Sequence, residues 1–405
     1  MSSSMAVFDR TLLSKSMLIA LCLLVFSFYP FITVLLLSAL LSIYSAREND
    51  AKWVYGIFVT CFLLVVGAYI SLKTGAPDDG NDKLQYLLYV DSFRNNGFVE
   101  LLLNHPEVVS FGLLYLLSFV SNDNLVFLIY FLLAFSVLYK SFERFLYLFP
   151  LFMLIFASTT FFLNLYGNLI RQSLAFSFLL FFVIAAQGRF KYCSYVLAVF
   201  SHFSTLVFFP IVFAMKREGI LSLKFSLALL CSAFLLSPLI TQVFIAFADS
   251  SIDIVSNKSD IYTEWDYSSS VSPIRVFLLT VIILVFSRYI PNAYSMKRNV
   301  ELSMLYVRLY NVLIVMAAVL FLFLSLDKVF ERLFFNYYII WMVFVVCCMF
   351  VFLKINMRVI CFCLLSFVLM FLVGLRFVNA DWFYENNASA ILFDNIFEVY
   401  FGVFQ

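Results

Sequence analysis

Long apolar runs recur along the whole chain, and they limit what it can fold into. Most approach the roughly 20 residues that a helix needs to cross the hydrocarbon core of a bilayer. Only 12% of the 405 residues are charged, against about a quarter in soluble domains. The sequence therefore predicts an all-α, polytopic transmembrane bundle of about 11–13 segments, which forms a single integral membrane domain over residues 1–405. The thirteen runs lie at 14–29, 30–45, 52–72, 108–120, 124–140, 146–163, 168–187, 192–214, 222–247, 273–290, 303–325, 333–353 and 357–376.

Polar stretches at 73–107, 249–272 and 377–405 separate or follow these runs. In membrane proteins, lysine and arginine gather in the short loops on the cytoplasmic side. Arg10 and Lys15 therefore place the N-terminus inside. Counting the runs from there predicts that all three polar stretches lie outside.

The middle of the chain leaves two topologies open. If every run spans, four basic residues face outside, against the charge rule: Lys140, Arg144, Arg189 and Lys191. If 108–120 instead lies in the interface and 192–214 dips into the membrane and returns, all four face inside. Irregular backbone at membrane depth is tolerated only where it lines a protein cavity. The second topology, which we favour, therefore predicts a functional site near 192–214.

A polar face at the start of one apolar helix is the first candidate site feature. Asn164, Asn168 and Gln172 recur every four residues and so share one helical face, with Arg171 at its edge. Arginine presents a planar fork of donors that matches phosphate oxygens. A lone arginine at a helix end more often reaches toward lipid headgroups. The neighbouring amides favour a binding role.

His202 lies in the middle of the next apolar run, with Ser201, Ser204 and Thr205 around it. An ionisable group at membrane depth needs a partner or a wet cavity. The unperturbed pKa of histidine lies near neutrality, which suits proton abstraction from a hydroxyl. The alternative is a buried histidine that only hydrogen-bonds to a neighbouring helix. We interpret His202 and Arg171 together as the centre of a site.

Arg332 begins a later, aromatic-rich segment. A second cation at the same membrane level as Arg171 would complete a clamp on a diphosphate. The alternative is a local ion pair between Arg332 and Asp327 or Glu331.

The first polar stretch contains Asp82, Tyr86 and Phe93 near helical spacing, which predicts an amphipathic helix on the membrane surface. Its carboxylates could accept sugar hydroxyls or act as a base. Asp78 and Asp79 are more typical of a solvated face.

The composition favours neither a metal nor a cofactor. All eight cysteines lie in apolar runs, without zinc-ligand spacing to histidine. No carboxylate pair has convincing metal-ligand spacing. With only 11 glycines there is no glycine-rich phosphate loop, so no nucleotide-sugar site is expected. We expect no disulfide and no nucleic-acid partner.

The order of these motifs resembles the EpsG/Wzy type of polysaccharide polymerase, loosely over 70–340 and closely over 164–210. Arg332 and Tyr337 also resemble the later arginine of that family and its aromatic surroundings. The earlier motifs are Asp82, Tyr86 and Phe93 in the first polar stretch, Glu107 before an apolar run, Ile170, Arg171 and Gln172 at a helix start, and His202, Phe203 and Ser204 in the next run.

The resemblance implies a GT-C-like polymerase of O-antigen or capsule type in the bacterial inner membrane, with its active site facing the periplasm. Donor and acceptor would both be oligosaccharides linked to undecaprenyl diphosphate, with membrane lipids and a chain-length regulator as further partners. The growing chain would pass from its lipid diphosphate to the terminal hydroxyl of an incoming repeat. By this resemblance the candidate catalytic residues are His202 and Asp82. The expected diphosphate contacts are Arg171, Arg332 and Gln172, and the expected sugar or acceptor contacts are Tyr86, Glu107, Asn168 and Tyr337.

Two other functions remain open. An O-antigen ligase uses the same donor but typically has a large late outer loop, whereas 249–272 is modest. A flippase or transporter of lipid-linked sugars often shows inverted repeats and helices interrupted by glycine or proline, and glycine is scarce here. A purely structural subunit would not explain Arg171 and His202 together.

Overall fold

A computed structural model describes residues 25–47, 52–73, 82–96, 107–185, 190–248, 272–287, 300–379 and 394–404, and all regular structure in these ranges is helical. The first eight α-helices are α1 Pro30–Ser45, α2 Lys52–Ser71, α3 Asp82–Asn96, α4 Val108–Leu117, α5 Asp123–Ser141, α6 Phe149–Ala157, α7 Thr160–Gly167 and α8 Ile170–Ile184. The remainder are α9 Phe190–Ser201, α10 Ile211–Lys216, α11 Leu223–Ala248, α12 Pro273–Ser287, α13 Val300–Leu322, α14 Asp327–Phe352, α15 Ile355–Val378 and α16 Ile396–Phe404. Short 3₁₀ helices cover Leu146–Leu148 and Phe203–Phe208.

The predicted polytopic helical membrane bundle is confirmed. Six helices in the described ranges are long and apolar enough to cross a membrane, namely α2, α5, α11, α13, α14 and α15. The pair α6 and α7 would count as a seventh span if taken together. The helices α1, α4, α8 and α12 are apolar but shorter. Within the described ranges, several of the predicted apolar runs therefore form helices that are shorter than a full span. The likeness to GT-C bundles stays a prediction.

The run 146–163, expected to form one segment, is instead broken into α6 and α7, which meet at an angle of 92°. The hydroxyls of Ser158 and Thr159 each donate at 2.7 Å to a carbonyl three residues earlier. Such bonds give the backbone a local alternative to the helical pattern. Thr159 is extended, so the chain turns at these two residues.

Among the spanning helices, α13 and α14 are the most deeply buried. Protein atoms bury 83% of the span in α13 and 72% of that in α14, but only 22% of that in α11 and 28% of that in α15. Large apolar side chains on α15, such as Phe367 and Phe371, are exposed. We infer that α11 and α15 face lipid, because an apolar surface of this extent is stable only in a hydrocarbon environment.

The first polar stretch does contain the predicted helix, α3, and two of its side chains fix it to the bundle. Lys83 Nζ donates to the carbonyls of Ser71 at 2.8 Å and Lys73 at 2.6 Å, at the end of α2. Arg94 donates to the carbonyls of Ser118 at 3.0 Å and Val120 at 2.7 Å, between α4 and α5. Burial lowers the pKa of Lys83 to about 8. Helix α3 is thus held at both ends.

Several predicted features fall outside the described residues. They include Asp78, Asp79, most of the stretch 249–272 and part of the tail 377–405. Which membrane side each polar stretch faces stays a prediction.

Candidate functional site

A single buried carboxylate joins the two residues predicted as the centre of the site. Glu107 directly precedes α4 and is only 5% exposed. Its Oε1 lies 2.8 Å from Nδ1 of His202 and accepts a hydrogen bond of 3.3 Å from the backbone N–H of Phe203. Its Oε2 forms an ion pair with the guanidinium of Arg171. Both oxygens of Glu107 are therefore engaged.

His202 lies at a break in the backbone. Helix α9 ends at Ser201, the 3₁₀ helix begins at Phe203, and His202 is extended between them. The predicted run 192–214 is therefore not one continuous helix. A break of this kind is compatible with the favoured topology, in which the run dips into the membrane and returns. Its path relative to the membrane stays a prediction.

Helix α4 satisfies the backbone on both sides of this break. Backbone polar groups in an apolar environment must find partners. Glu107 accepts from the N–H of Phe203, and Ser110 Oγ donates to the carbonyl of Ser201 at 2.8 Å. Tyr130 Oη donates in turn to Ser110 at 3.2 Å. These contacts fix where the imidazole lies.

The protonation of Glu107 determines which imidazole nitrogen is available. Burial by itself would raise the pKa of Glu107, but the hydrogen bond and charge of His202, the charge of Arg171 and the N–H of Phe203 lower it to about 2. The carboxylate is then ionised at neutral pH and only accepts hydrogen bonds. Nδ1 of His202 must carry the proton in this contact. In the neutral imidazole, Nε2 is therefore the basic nitrogen.

Arg171 is held between two aromatic rings at the start of α8. Its guanidinium lies 5.6 Å from the ring centre of Tyr86 and 5.1 Å from that of Phe111. Its Nε donates to Tyr86 Oη at 3.4 Å. Stacking of this kind stabilises a cation and fixes its plane. The side chain is still 26% exposed, so an anion can reach it.

Gln172 connects the two predicted arginine sites. Its Nε2 donates to the backbone carbonyl of Arg332 at 2.9 Å. The side chain of Gln172 is buried, so this bond ties α8 firmly to α14. The charge of Arg332 also acts on His202. The fold thus brings Arg332 to the region of Arg171 and His202, although more than 150 residues separate the two arginines in sequence.

The comparison with protein families covers all of these residues, because the model of the EpsG family matches residues 56–389. The chain belongs to the EpsG family. Membership supports a Wzy-like polymerase in general terms. No curated protein and no solved structure matches the chain.

Asp82, Asn168 and Tyr337 are the remaining predicted residues of this EpsG-family protein. Asp82 begins α3, one turn before Tyr86, and its charge acts on that residue. Asn168 donates from Nδ2 to Oδ1 of Asn164 at 3.0 Å. The single helical face predicted for Asn164, Asn168 and Gln172 is wrong, because α7 ends at Gly167 and α8 begins at Ile170, so that Asn168 lies between the two helices. Tyr337 is fully buried, and its hydroxyl lies 3.1 Å from Oγ1 of Thr280 on α12. Tyr337 therefore joins α14 to α12.

Sequence reasoning missed Ser110, Phe111 and Tyr130. The available signal for Ser110 was its position three residues after Glu107 in an apolar run, which places both on one helical face. Phe111 and Tyr130 gave no signal among the many aromatic residues of this chain.

Proposed function

We propose that this EpsG-family protein is a glycosyltransferase that polymerises oligosaccharide repeats linked to undecaprenyl diphosphate, at the periplasmic face of the bacterial inner membrane. The bond from the reducing-end sugar of the growing chain to its lipid diphosphate breaks. The terminal hydroxyl of an incoming repeat forms the new glycosidic bond and loses its proton. The lipid diphosphate leaves with the electron pair. The observation that supports this proposal is the contact of Glu107 with both Arg171 and His202.

His202 is the proposed general base. Its Nε2 is free to accept the hydroxyl proton, since the ionised Glu107 accepts from Nδ1 at 2.8 Å. A carboxylate on the far nitrogen orients an imidazole and stabilises the imidazolium formed during reaction. We therefore assign Glu107 an orienting role instead of the expected sugar contact.

The arginines are the proposed binding groups for the diphosphate. The leaving group gains negative charge as its bond to the sugar breaks, so fixed cations lower the barrier. Arg171 is held in place by Tyr86 and Phe111 and is partly exposed. Gln172 donates one N–H of its amide to the backbone carbonyl of Arg332. The amide has a second N–H, so Gln172 stays a proposed diphosphate contact.

The acceptor sugar is proposed to contact α3 and the chain between α7 and α8, where Asn168 lies. Asp82 lies one turn from Tyr86, so it accepts sugar hydroxyls while His202 takes the proton. Tyr86 contacts Arg171, Asn168 lies three residues before Arg171 in sequence, and both remain proposed sugar contacts. Tyr337 is buried and bonded to Thr280, so we propose a structural role for it instead of the expected sugar contact.

Deleting the gene in its native host and separating surface lipopolysaccharide on a gel tests the proposal. Core carrying a single repeat, without the ladder of longer chains, is the expected result, and the wild-type gene should restore the ladder. Complementation with His202→Ala or Arg171→Ala should not restore it, although both variants accumulate in the membrane. Lys140→Ala is the matched control, because Lys140 forms only an exposed ion pair with Glu143.

The other outcomes favour other functions. Core without any repeat would indicate a ligase or a flippase of lipid-linked sugars. An unchanged ladder after deletion, or a normal ladder from Arg171→Ala, would contradict the proposal.

A further inference from the structure

A second candidate site is an apolar groove of about 430 Å³ between α10, α11 and α13. One wall is formed by Phe225, Leu229, Ser232 and Leu236 of α11, which recur at the spacing of a single helical face. From Phe225 to Leu236 this wall is about 16 Å long at 1.5 Å per residue. One leaflet of a hydrocarbon core about 30 Å thick has nearly the same depth.

The groove ends at a group of cations. Arg217 is part of its lining and follows α10 directly. Lys216 and Lys224 are exposed nearby in sequence, and Glu218 is the neighbouring carboxylate. The balance is three cations against one anion. Within the described ranges, the guanidinium of Arg217 makes no hydrogen bond or ion pair.

This basic end lies far from the candidate active site. Arg171 and Ile184 are 13 residues apart on α8, or about 20 Å. At the far end of α8, the carbonyl of Ile184 accepts from Arg308 of α13 at 3.5 Å. One turn later on α13, Asn311 donates to the carbonyl of Gly219 at 2.9 Å. Arg217, two residues before Gly219, is therefore at the opposite end of α8 from Arg171.

We propose that the groove binds one acyl chain of an anionic glycerophospholipid, with the headgroup phosphate on Arg217. The groove is apolar and one leaflet long, and it lies along α11, the least buried of the spanning helices. Basic pockets between transmembrane helices bind anionic headgroups. A phosphate at Arg217 cannot reach Arg171, about 20 Å away along α8, so this lipid is not the donor. The proposal does not depend on the polymerase activity.

Native mass spectrometry of the purified full chain in detergent tests the proposal. Phosphatidylglycerol and phosphatidylcholine with identical acyl chains are added in equal amounts. We expect selective retention of phosphatidylglycerol. Arg217→Ala should weaken it about five-fold, because a cation near the lipid surface contributes about 1 kcal/mol. Arg217→Lys should keep the selectivity.

Two further variants distinguish the contribution of the groove to lipid binding from the contribution of the charge. Ser232 is exposed and lines the groove, so Ser232→Trp should fill it and reduce retention of both lipids. Lys140→Ala removes a cation from an exposed ion pair that does not line the groove and should change neither. Equal retention of both lipids by the wild type, or no effect of Arg217→Ala, would overturn the proposal. Stronger retention of added undecaprenyl phosphate, lost in Arg217→Ala, would overturn the identity of the lipid.

Discussion

Glu107→Gln is the most informative single change, because it alters charge with almost no change in shape. The wild-type carboxylate accepts from His202 Nδ1, from the N–H of Phe203 and from Arg171. A glutamine has one accepting oxygen and one donating amide. An amide N–H that faces the guanidinium sets donor against donor, and that contact is lost. An amide N–H that faces the imidazole requires the other tautomer, in which Nδ1 accepts and Nε2 carries the proton, so the basic nitrogen is lost.

The structure sets the size of the effect. Interactions in the fold lower the pKa of Glu107 from 4.5 to about 2, which corresponds to about 3 kcal/mol in favour of the folded, ionised state. Because this pKa is lowered, the stabilisation is present above about pH 4.5 and is lost as the pH falls toward 2. Glu107→Gln should lose about 3 kcal/mol at neutral pH and should remove this acid-dependent loss. A misoriented base should also slow polymerisation on the order of 10²–10⁴-fold.

The assay is the initial rate of chain growth by purified, reconstituted protein on a lipid-linked repeat, with thermal unfolding followed in parallel between pH 3 and 8. Glu143→Gln is the control, since Glu143 pairs with Lys140 at 2.8 Å in an exposed position where such a pair contributes at most about 1 kcal/mol. A Glu107→Gln rate within two-fold of wild type would refute the orienting role of Glu107. If the stability of Glu107→Gln falls in acid as steeply as that of the wild type, the ion-pair argument is refuted.

Three further changes address the contacts around this centre. Arg171→Lys keeps the charge but not the planar fork between Tyr86 and Phe111, so the chain-growth rate should fall on the order of 10²-fold; wild-type rates would contradict a directional role. Ser110→Ala leaves the carbonyl of Ser201 without its side-chain donor and should cost about 1–3 kcal/mol in thermal unfolding, while Ser110→Thr should not. Lys83→Met removes the donor to the end of α2 and should make α3 more sensitive to limited proteolysis, with a similar loss of stability; unchanged cleavage would show that Arg94 alone holds the helix.

The class of fold was predictable from the sequence, and so were Arg171 and His202 as two residues that the fold brings together at Glu107. Apolar runs give helices because the bilayer leaves few alternatives for the backbone. The charge rule indicated that 192–214 does not form an ordinary span, and the structure has the backbone break at His202. Arg171 was recognisable because charge is costly in an apolar run.

Other features depend on contacts between residues that are far apart in the sequence, and a periodic pattern does not reveal such contacts. The partners of Glu107 lie 64 and 95 residues away in sequence, and Gln172 bonds to a carbonyl 160 residues away. The turn at Ser158 was not predictable, because a serine in an apolar run is equally compatible with a straight helix. Such features arise only when the helices pack.

The broken segments have a consequence for biogenesis. Helices α6 and α7 contain 9 and 8 residues, too few for either to enter a bilayer as an independent span, and the segment around His202 has the same weakness. We expect each of these segments to enter the membrane only by packing against helices that are already inserted. Because α4 precedes His202 in the chain, the carboxylate that aligns the imidazole is synthesised before its partner. The proposed base should therefore become competent only in the last stage of assembly, so that a half-inserted chain is catalytically silent.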